Sequence, residues 1–265
     1  MSDVYSLHLG TQPLLVSVPH VGRELPPDQQ HRYVERAFQF EDADWHLDEL
    51  YGFVKALGAS LIVPRYSRFL IDLNRPPENA PMYPGVNNTE LCPTRFFTGD
   101  ALYRASMAPD ASEIGRRVLA YWQPYHGALR AELQRIHTAH GHAVLFDGHS
   151  IKSELPWLFE GKLPDLNLGT ASGTSCAPTL RAALKRVLDA QAHFTHVTDG
   201  RFKGGHITRH YGQPDKGIHA VQLEMCWSTY MAEQAPFELD PRRTARLSPV
   251  LQALVHTMLR WTPHG

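Results

Sequence analysis

Cysteine is scarce in this chain of 265 residues: Cys92, Cys176 and Cys226, an odd number with no CxxC pair. That excludes a disulfide framework and a thiolate zinc site, and makes a reducing cytoplasm the expected compartment. Charge of one sign is missing too. A net charge of −1 excludes an electrostatic nucleic-acid binder, which needs a basic face. No apolar run approaches the roughly 20 residues of a membrane span. The opening "MSDVYSLHLG" has no basic region followed by an apolar core, so neither a membrane nor a secretory signal is expected. Long linkers, charge blocks and repeats are lacking, and one domain over 1–265 is expected. HExxH, GxSxG, Walker and GxGxxG motifs are also absent.

What is present is an alternation of short apolar runs with long helical patterns. Strands are expected at Leu14–Val18, Leu61–Pro64, Phe69–Leu73, Ala143–Asp147 and Ala220–Met225, short runs mostly bounded by Gly, Pro or Asn. Helices are expected at Asp44–Leu57, Ser112–Thr138, Pro178–Gln191 and Arg242–Leu259, where apolar residues recur at near-helical spacing. The fold class that follows is α/β, three layers α/β/α, with a mixed, mostly parallel twisted sheet carrying helices on both faces. Such sheets bind ligands beyond the carboxyl ends of their strands. Two long irregular stretches, 74–100 and 199–217, have the length of functional loops. The second is expected to be a Gly-hinged loop that closes over a ligand, with His206 and His210 off any helix.

Histidine is abundant, with 16 residues. His20 follows the first strand in "LLVSVPHVG", and Asp147 and His149 end another in "VLFDGHS". Imidazole nitrogen and carboxylate oxygen suit zinc, and a catalytic zinc keeps three protein ligands and an open position. His20 and His149 are the first two candidates. For a third, "FEDADWHLDELYGF" offers Glu41, Asp42, Asp44, His46 and Asp48. Asp44 stands where a helix N-cap would also stand. In "HAVQLEMCW", Glu224 alternates with apolar neighbours. A carboxylate inside a buried strand is costly unless paired, which points to a general base with its acidity tuned by burial. "SRFLIDLNRPP" sets Arg68, Asn74 and Arg75 around a strand, and the later loop adds Arg201, Lys203 and Arg209. Arginine grips carboxylates through paired hydrogen bonds. His137, His140 and His142 read as a solvated helix end rather than a second metal site.

"SVPHVG", "DADWHLDELYGF", "SRFLIDLNRPPE", "LFDGHSIKSELPWLFEGKLPDLNLGT" and "GRFKGGHITRHYGQPDKGIHAVQLEM" together resemble the N-formylglutamate amidohydrolase family, in family order over residues 14 to 230. The resemblance implies a fold and site similar to zinc-dependent exopeptidases and aspartoacylases. It implies His20, Asp44 and His149 as ligands of one zinc ion, with cobalt, nickel or manganese as substitutes, and Glu224 as the catalytic glutamate. The exopeptidases use a His-x-x-Glu pair. Here Arg23 occupies that place and Glu24 comes one later, so the resemblance passes the second ligand to Asp44. It further implies hydrolysis of N-formyl-L-glutamate, a small-molecule substrate, to formate and L-glutamate, the last step of a histidine degradation route. In that reading Arg68 stabilises the oxyanion and Arg75, with Asn74, binds one substrate carboxylate. Arg209 binds the other, helped by His206. The rivals are a metal-free serine or cysteine amidase, a non-catalytic sensor of acidic amino acids, and a related zinc deacylase with another acyl group.

Overall fold

The computed structural model describes residues 4–80 and 87–263, so part of the expected loop 74–100 lies outside the described residues. Seven strands form one sheet: β1 (Tyr5–His8), β2 (Leu14–Ser17), β3 (Ser60–Pro64), β4 (Ala143–Ile151), β5 (Leu166–Gly169), β6 (His196–Thr198) and β7 (Ile218–Cys226). The α-helices are α1 (Pro27–Gln30), α2 (Leu47–Leu50), α3 (Ala111–Arg117), α4 (Gln123–His140), α5 (Pro178–Ala190), α6 (His206–Tyr211) and α7 (Pro241–Arg260). The strand order is β1-β3-β2-β4-β7-β5-β6. β3, β2, β4 and β7 run parallel, while β1 and β5 join antiparallel and β6 runs with β5. This is the expected α/β fold with a mixed, mostly parallel sheet.

The two faces follow from strand alternation. Val144 and Phe146 of β4 and Val221, Leu223 and Met225 of β7 pack in one apolar cluster with Leu180, Leu184 and Leu188 of α5 and Leu251 and Leu254 of α7. Ala143, Leu145 and Ala220 point the other way, into a second cluster with Leu129 and Leu133 of α4 and Ile207 of α6. Burying each Leu or Val contributes roughly 1.5–3 kcal/mol. On that second face both strands change character halfway along. Ala143 and Leu145 give way to Asp147 and His149, and Ala220 gives way to Gln222 and Glu224. Asp147 lies beside Gln222 and His149 beside Glu224 in the β4–β7 register. The apolar half holds the sheet to α4; the ionisable half lies at the carboxyl ends.

Three expectations about elements are corrected. Phe69–Leu73 is not a strand but a run of turns, because Ser67 and Asp72 bend the backbone and Leu70 and Leu73 pack separately. Asp44–Leu57 breaks into α2 and a 3-10 turn at Gly52–Lys55, since His46 sits in the left-handed region (φ 63°) ahead of α2. The helix 112–138 is interrupted by a π turn at Val118–Trp122. Pro124 follows at once and has no amide to donate to the preceding turn, which is where such a turn is tolerated. The short strands β1, β5 and β6 and the helix α6 were not foreseen. His206 and His210 therefore do lie on a helix, their rings stacked 5.0 Å apart.

Candidate metal and catalytic site

At the carboxyl ends of β2 and β4, His20, Asp44 and His149 converge. His20 leaves β2 through Pro19, and its carbonyl accepts the amide of Asp44 (3.0 Å), which ties the two loops together. Asp44 caps no helix: α2 starts at Leu47, with His46 at its cap position. The Asp44 carboxylate turns inward instead. Its Oδ2 lies 3.1 Å from Nδ1 of His149 and 3.5 Å from Nδ1 of His20. One ligand atom from each residue lies within 4.8 Å of the other two. A tetrahedron with zinc–ligand arms of about 2.0–2.1 Å has edges of about 3.3 Å, which the two Asp44 separations of 3.1 and 3.5 Å approach. Nδ1 of His20 is buried and has no hydrogen-bond partner, which an inward-facing metal ligand would explain.

The far nitrogens of both rings are held. Nε2 of His20 donates to Asp72 Oδ1 (2.7 Å), and Nε2 of His149 donates to Asp147 Oδ2 (2.9 Å). Each carboxylate fixes its ring's tautomer, leaving Nδ1 with a lone pair for a cation. Asp147 also accepts from Ser17 Oγ (3.2 Å) and Asn74 Nδ2 (3.3 Å). Asp72 does more. It accepts Nη2 of Arg68 (2.7 Å) and the amide of Asn74 (2.8 Å), and Nε of Arg75 lies 3.7 Å away. Burial opposes its ionisation, yet His20 and Arg68 outweigh that and hold its carboxyl well below the usual range. Burial likewise opposes charge on His149, but Asp147 and Asp44 raise its pKa well above the ordinary value. The pocket is electrostatically built for a cation.

A partly open cavity lies over this centre. Glu224 faces it from β7, beside His149 in the β4–β7 register, and burial pushes its carboxyl up to about 8. Arg68 lies over the Phe97 ring at 4.6 Å. Asn74 and Arg75 also line the cavity, Arg75 donating to Thr89 Oγ1 (2.8 Å). Arg209 does not: it is exposed and donates to the Gly204 carbonyl (2.8 Å). His206 is turned instead towards Trp122 (5.8 Å) and His126 (5.6 Å). From that stretch the cavity is lined by Arg201, Phe202 and Gly205. Asp72, Gln222 and the role of Asp147 escaped the sequence reading. Asp147 was detectable, since positions 147 and 149 of one strand share a face.

Among the described residues the segment bearing Arg68, Asp72, Asn74 and Arg75 joins no strand, and the long helix satisfies three of its carbonyls. Arg117 Nη1 donates to Leu70 O (2.8 Å), His126 Nε2 to Leu73 O (2.8 Å) and Trp122 Nε1 to Arg75 O (2.9 Å). In an unbroken α-helix, nine steps of about 100° would set Arg117 and His126 on opposite sides. The π turn absorbs one residue and brings all three donors round to one side.

This clasp has a pH signature. Burial pushes His126 down to about 3. Below its unfolded pKa of about 6.5, the unfolded chain takes up a proton that folded His126 refuses, so stability falls with falling pH. One such group contributes a slope of up to about 1.4 kcal/mol per pH unit between its two pKa values. Urea unfolding of metal-free protein at pH 6.5 and 5 is expected to show a slope flatter by up to that amount in His126→Gln. Identical slopes would refute the assignment.

A family model described as N-formylglutamate amidohydrolase matches residues 12–231. The N-formylglutamate deformylase of Pseudomonas putida is 47% identical over 261 residues, covering 98% of this chain and 97% of that protein. The deformylase of Pseudomonas aeruginosa is 46% identical, covering 98% of each. The crystal structure of N-formylglutamate amidohydrolase from Ralstonia eutropha JMP134 superposes with a TM-score of 0.79 at 25% identity, over 97% of this chain and 96% of that one. A gene product of Agrobacterium tumefaciens shares the fold, with a TM-score of 0.72 at 15% identity over 97% of this chain and 95% of that one.

Proposed function

Because the chain belongs to the N-formylglutamate amidohydrolase family, we propose that it hydrolyses N-formyl-L-glutamate to formate and L-glutamate with one zinc ion. The observation that carries this reading is the convergence of His20, Asp44 and His149 beneath a cavity that also holds Glu224 and the guanidinium of Arg68. In this reading residues 1–265 form one catalytic domain.

His20, His149 and Asp44 would hold the zinc ion, which when bound would supply Lewis acidity to the formyl carbonyl and to an attacking water. Asp72 and Asp147 keep the two imidazoles in the tautomer that such an ion requires. Glu224 takes the proton of the attacking water at its carboxylate as the new C–O bond forms. Arg68, held by Asp72 at 2.7 Å, faces the cavity where negative charge develops on the formyl oxygen. When the C–N bond breaks, Glu224 hands its proton to the leaving amine. Arg75 and Asn74 hold one carboxylate of the substrate.

A cysteine amidase is the weaker reading, since burial pushes Cys92 up to about 11 and Cys176 up to about 12, far from a reactive thiolate. Among the described residues no helix is long and apolar enough to cross a membrane. We place the reaction in the cytoplasm, as the last step of a histidine degradation route. The test is direct. Purified protein is expected to carry about one zinc per chain by elemental analysis and to release formate and glutamate in equal amounts from N-formyl-L-glutamate. Faster release of acetate from N-acetyl-L-glutamate would instead favour the related deacylase.

A further inference from the structure

The cavity wall includes a third guanidinium besides Arg68 and Arg75, that of Arg201, from the turn between β6 and α6. The turn is pinned at both ends. At its start Asp199 (φ 54°) accepts from Thr170 N (2.7 Å), Thr170 Oγ1 (2.6 Å) and Arg181 Nη2 (2.9 Å). At its end the Gly205 amide donates to Gln222 Oε1 (2.8 Å) and the Ile207 amide to Asn74 Oδ1 (2.8 Å). Between them Ala171 N donates to Lys203 O (2.6 Å). A segment so anchored presents its side chains at a fixed place rather than swinging as a hinged lid.

Arg201 is half-buried. Its Nη2 donates to Leu158 O (3.3 Å) and its guanidinium lies 5.2 Å from the centre of the Phe202 ring. Leu158 and Phe202 also line the cavity. Apolar neighbours lower the local dielectric and strengthen a charge-assisted contact with an anion. Arg68 and Arg75 both face Asp72, at 2.7 and 3.7 Å, whereas Arg201 reaches the cavity from a separate segment, so the guanidiniums offer a second anchoring point apart from that pair.

We infer that Arg201 selects for a second carboxylate on the substrate. The substrate class is then N-acyl amino acids with an acidic side chain, and the Arg181–Asp199 contact sets where that carboxylate must reach. The inference rests on the hydrolase reading above and deepens it. It replaces Arg209 in the role of second carboxylate holder.

The test compares N-formyl-L-glutamate with its uncharged counterpart N-formyl-L-glutamine on zinc-loaded protein. Arg201→Gln is expected to raise KM for the glutamate substrate about 30-fold, with kcat little changed, and to leave the glutamine substrate within about twofold. Arg201→Lys is expected to restore part of the preference. Arg181→Gln, outside the cavity, is expected to shift the same ratio by a smaller factor of about 3–5. Equal losses on both substrates, or an unchanged ratio in Arg201→Gln, overturn the inference. An unchanged ratio in Arg181→Gln overturns the positioning part. If the unmutated protein hydrolyses neither substrate, the hydrolase reading fails, and calorimetry with glutarate and butyrate then decides the subsite. Tighter glutarate binding that Arg201→Gln removes supports it, and equal binding of the two acids overturns it.

Discussion

Glu224→Gln is expected to lower kcat for N-formyl-L-glutamate by about 10³-fold while leaving substrate binding and zinc content nearly unchanged. Proton transfer by a positioned carboxylate contributes roughly 10²–10⁴-fold, and glutamine keeps the shape while removing the proton acceptor. Position 224 lies beside His149 in the sheet register but is not one of the three converging ligands. The variant should therefore hold its ion. It should also be at least as stable as the parent, since a carboxyl that burial pushes up to about 8 gives way to a neutral amide. Steady-state kinetics, calorimetry with a slowly hydrolysed N-acyl glutamate and elemental analysis check all three points. A fall in kcat of less than tenfold would remove Glu224 from the proton path. Loss of zinc would make it a ligand instead.

Asp72→Ala is expected to act on two functions at once. It strips the outer partner from His20, which should weaken zinc binding by about 10–100-fold. It also strips the carboxylate that Arg68 approaches at 2.7 Å and Arg75 at 3.7 Å. Arg68 is buried, and the carboxylate of Asp44 also lies 3.9 Å from it. A guanidinium without Asp72 will lean towards Asp44 and compete with the ion for that oxygen. Leaving one partner of a buried pair uncompensated costs about 3–5 kcal/mol. At saturating zinc, kcat/KM is still expected to fall by about 10³-fold, and a zinc titration separates the two losses. Wild-type zinc affinity in this variant would show that Asp72 does not orient His20. Asp72→Asn keeps an oxygen for Nε2 of His20 but sets an amide nitrogen against an arginine, so an intermediate loss is expected.

The parallel core of the sheet was legible because its strands are buried on both faces and read as plain apolar runs. The turn at Pro19-His20 and the end of β4 marked where chemistry could begin. β1, β5 and β6 were missed because no continuous apolar run marks them: β1 and β6 are not buried, and Asn167 interrupts the short β5. The apolar run around Phe69 misled for a physical reason. Its side chains are buried, but carbonyls in and just after it are satisfied by Arg117, Trp122 and His126 from a distant helix, which no local pattern reveals. Asp72 was hidden by the same error, since the period of an assumed strand gave it no partner. Arg209 attracted attention as a basic residue near glycines, whereas the cavity is lined by Arg201, eight positions earlier.

The π turn at Val118–Trp122 makes helix length a functional quantity. On an ordinary surface helix, gaining or losing a residue near the middle slides one end and little else. Here the turn already absorbs one extra residue, so excising it would leave a regular α-helix with Arg117 and Trp122 still in register, whereas a further insertion or a second deletion would swing Arg117 by about 100° relative to Trp122, parting the Leu70 carbonyl from its donor while both helical halves stayed intact. Relatives that preserve this catalytic arrangement should therefore carry no insertion across 117–126, and no deletion there beyond the single residue that the π turn absorbs, however freely the exposed letters there drift.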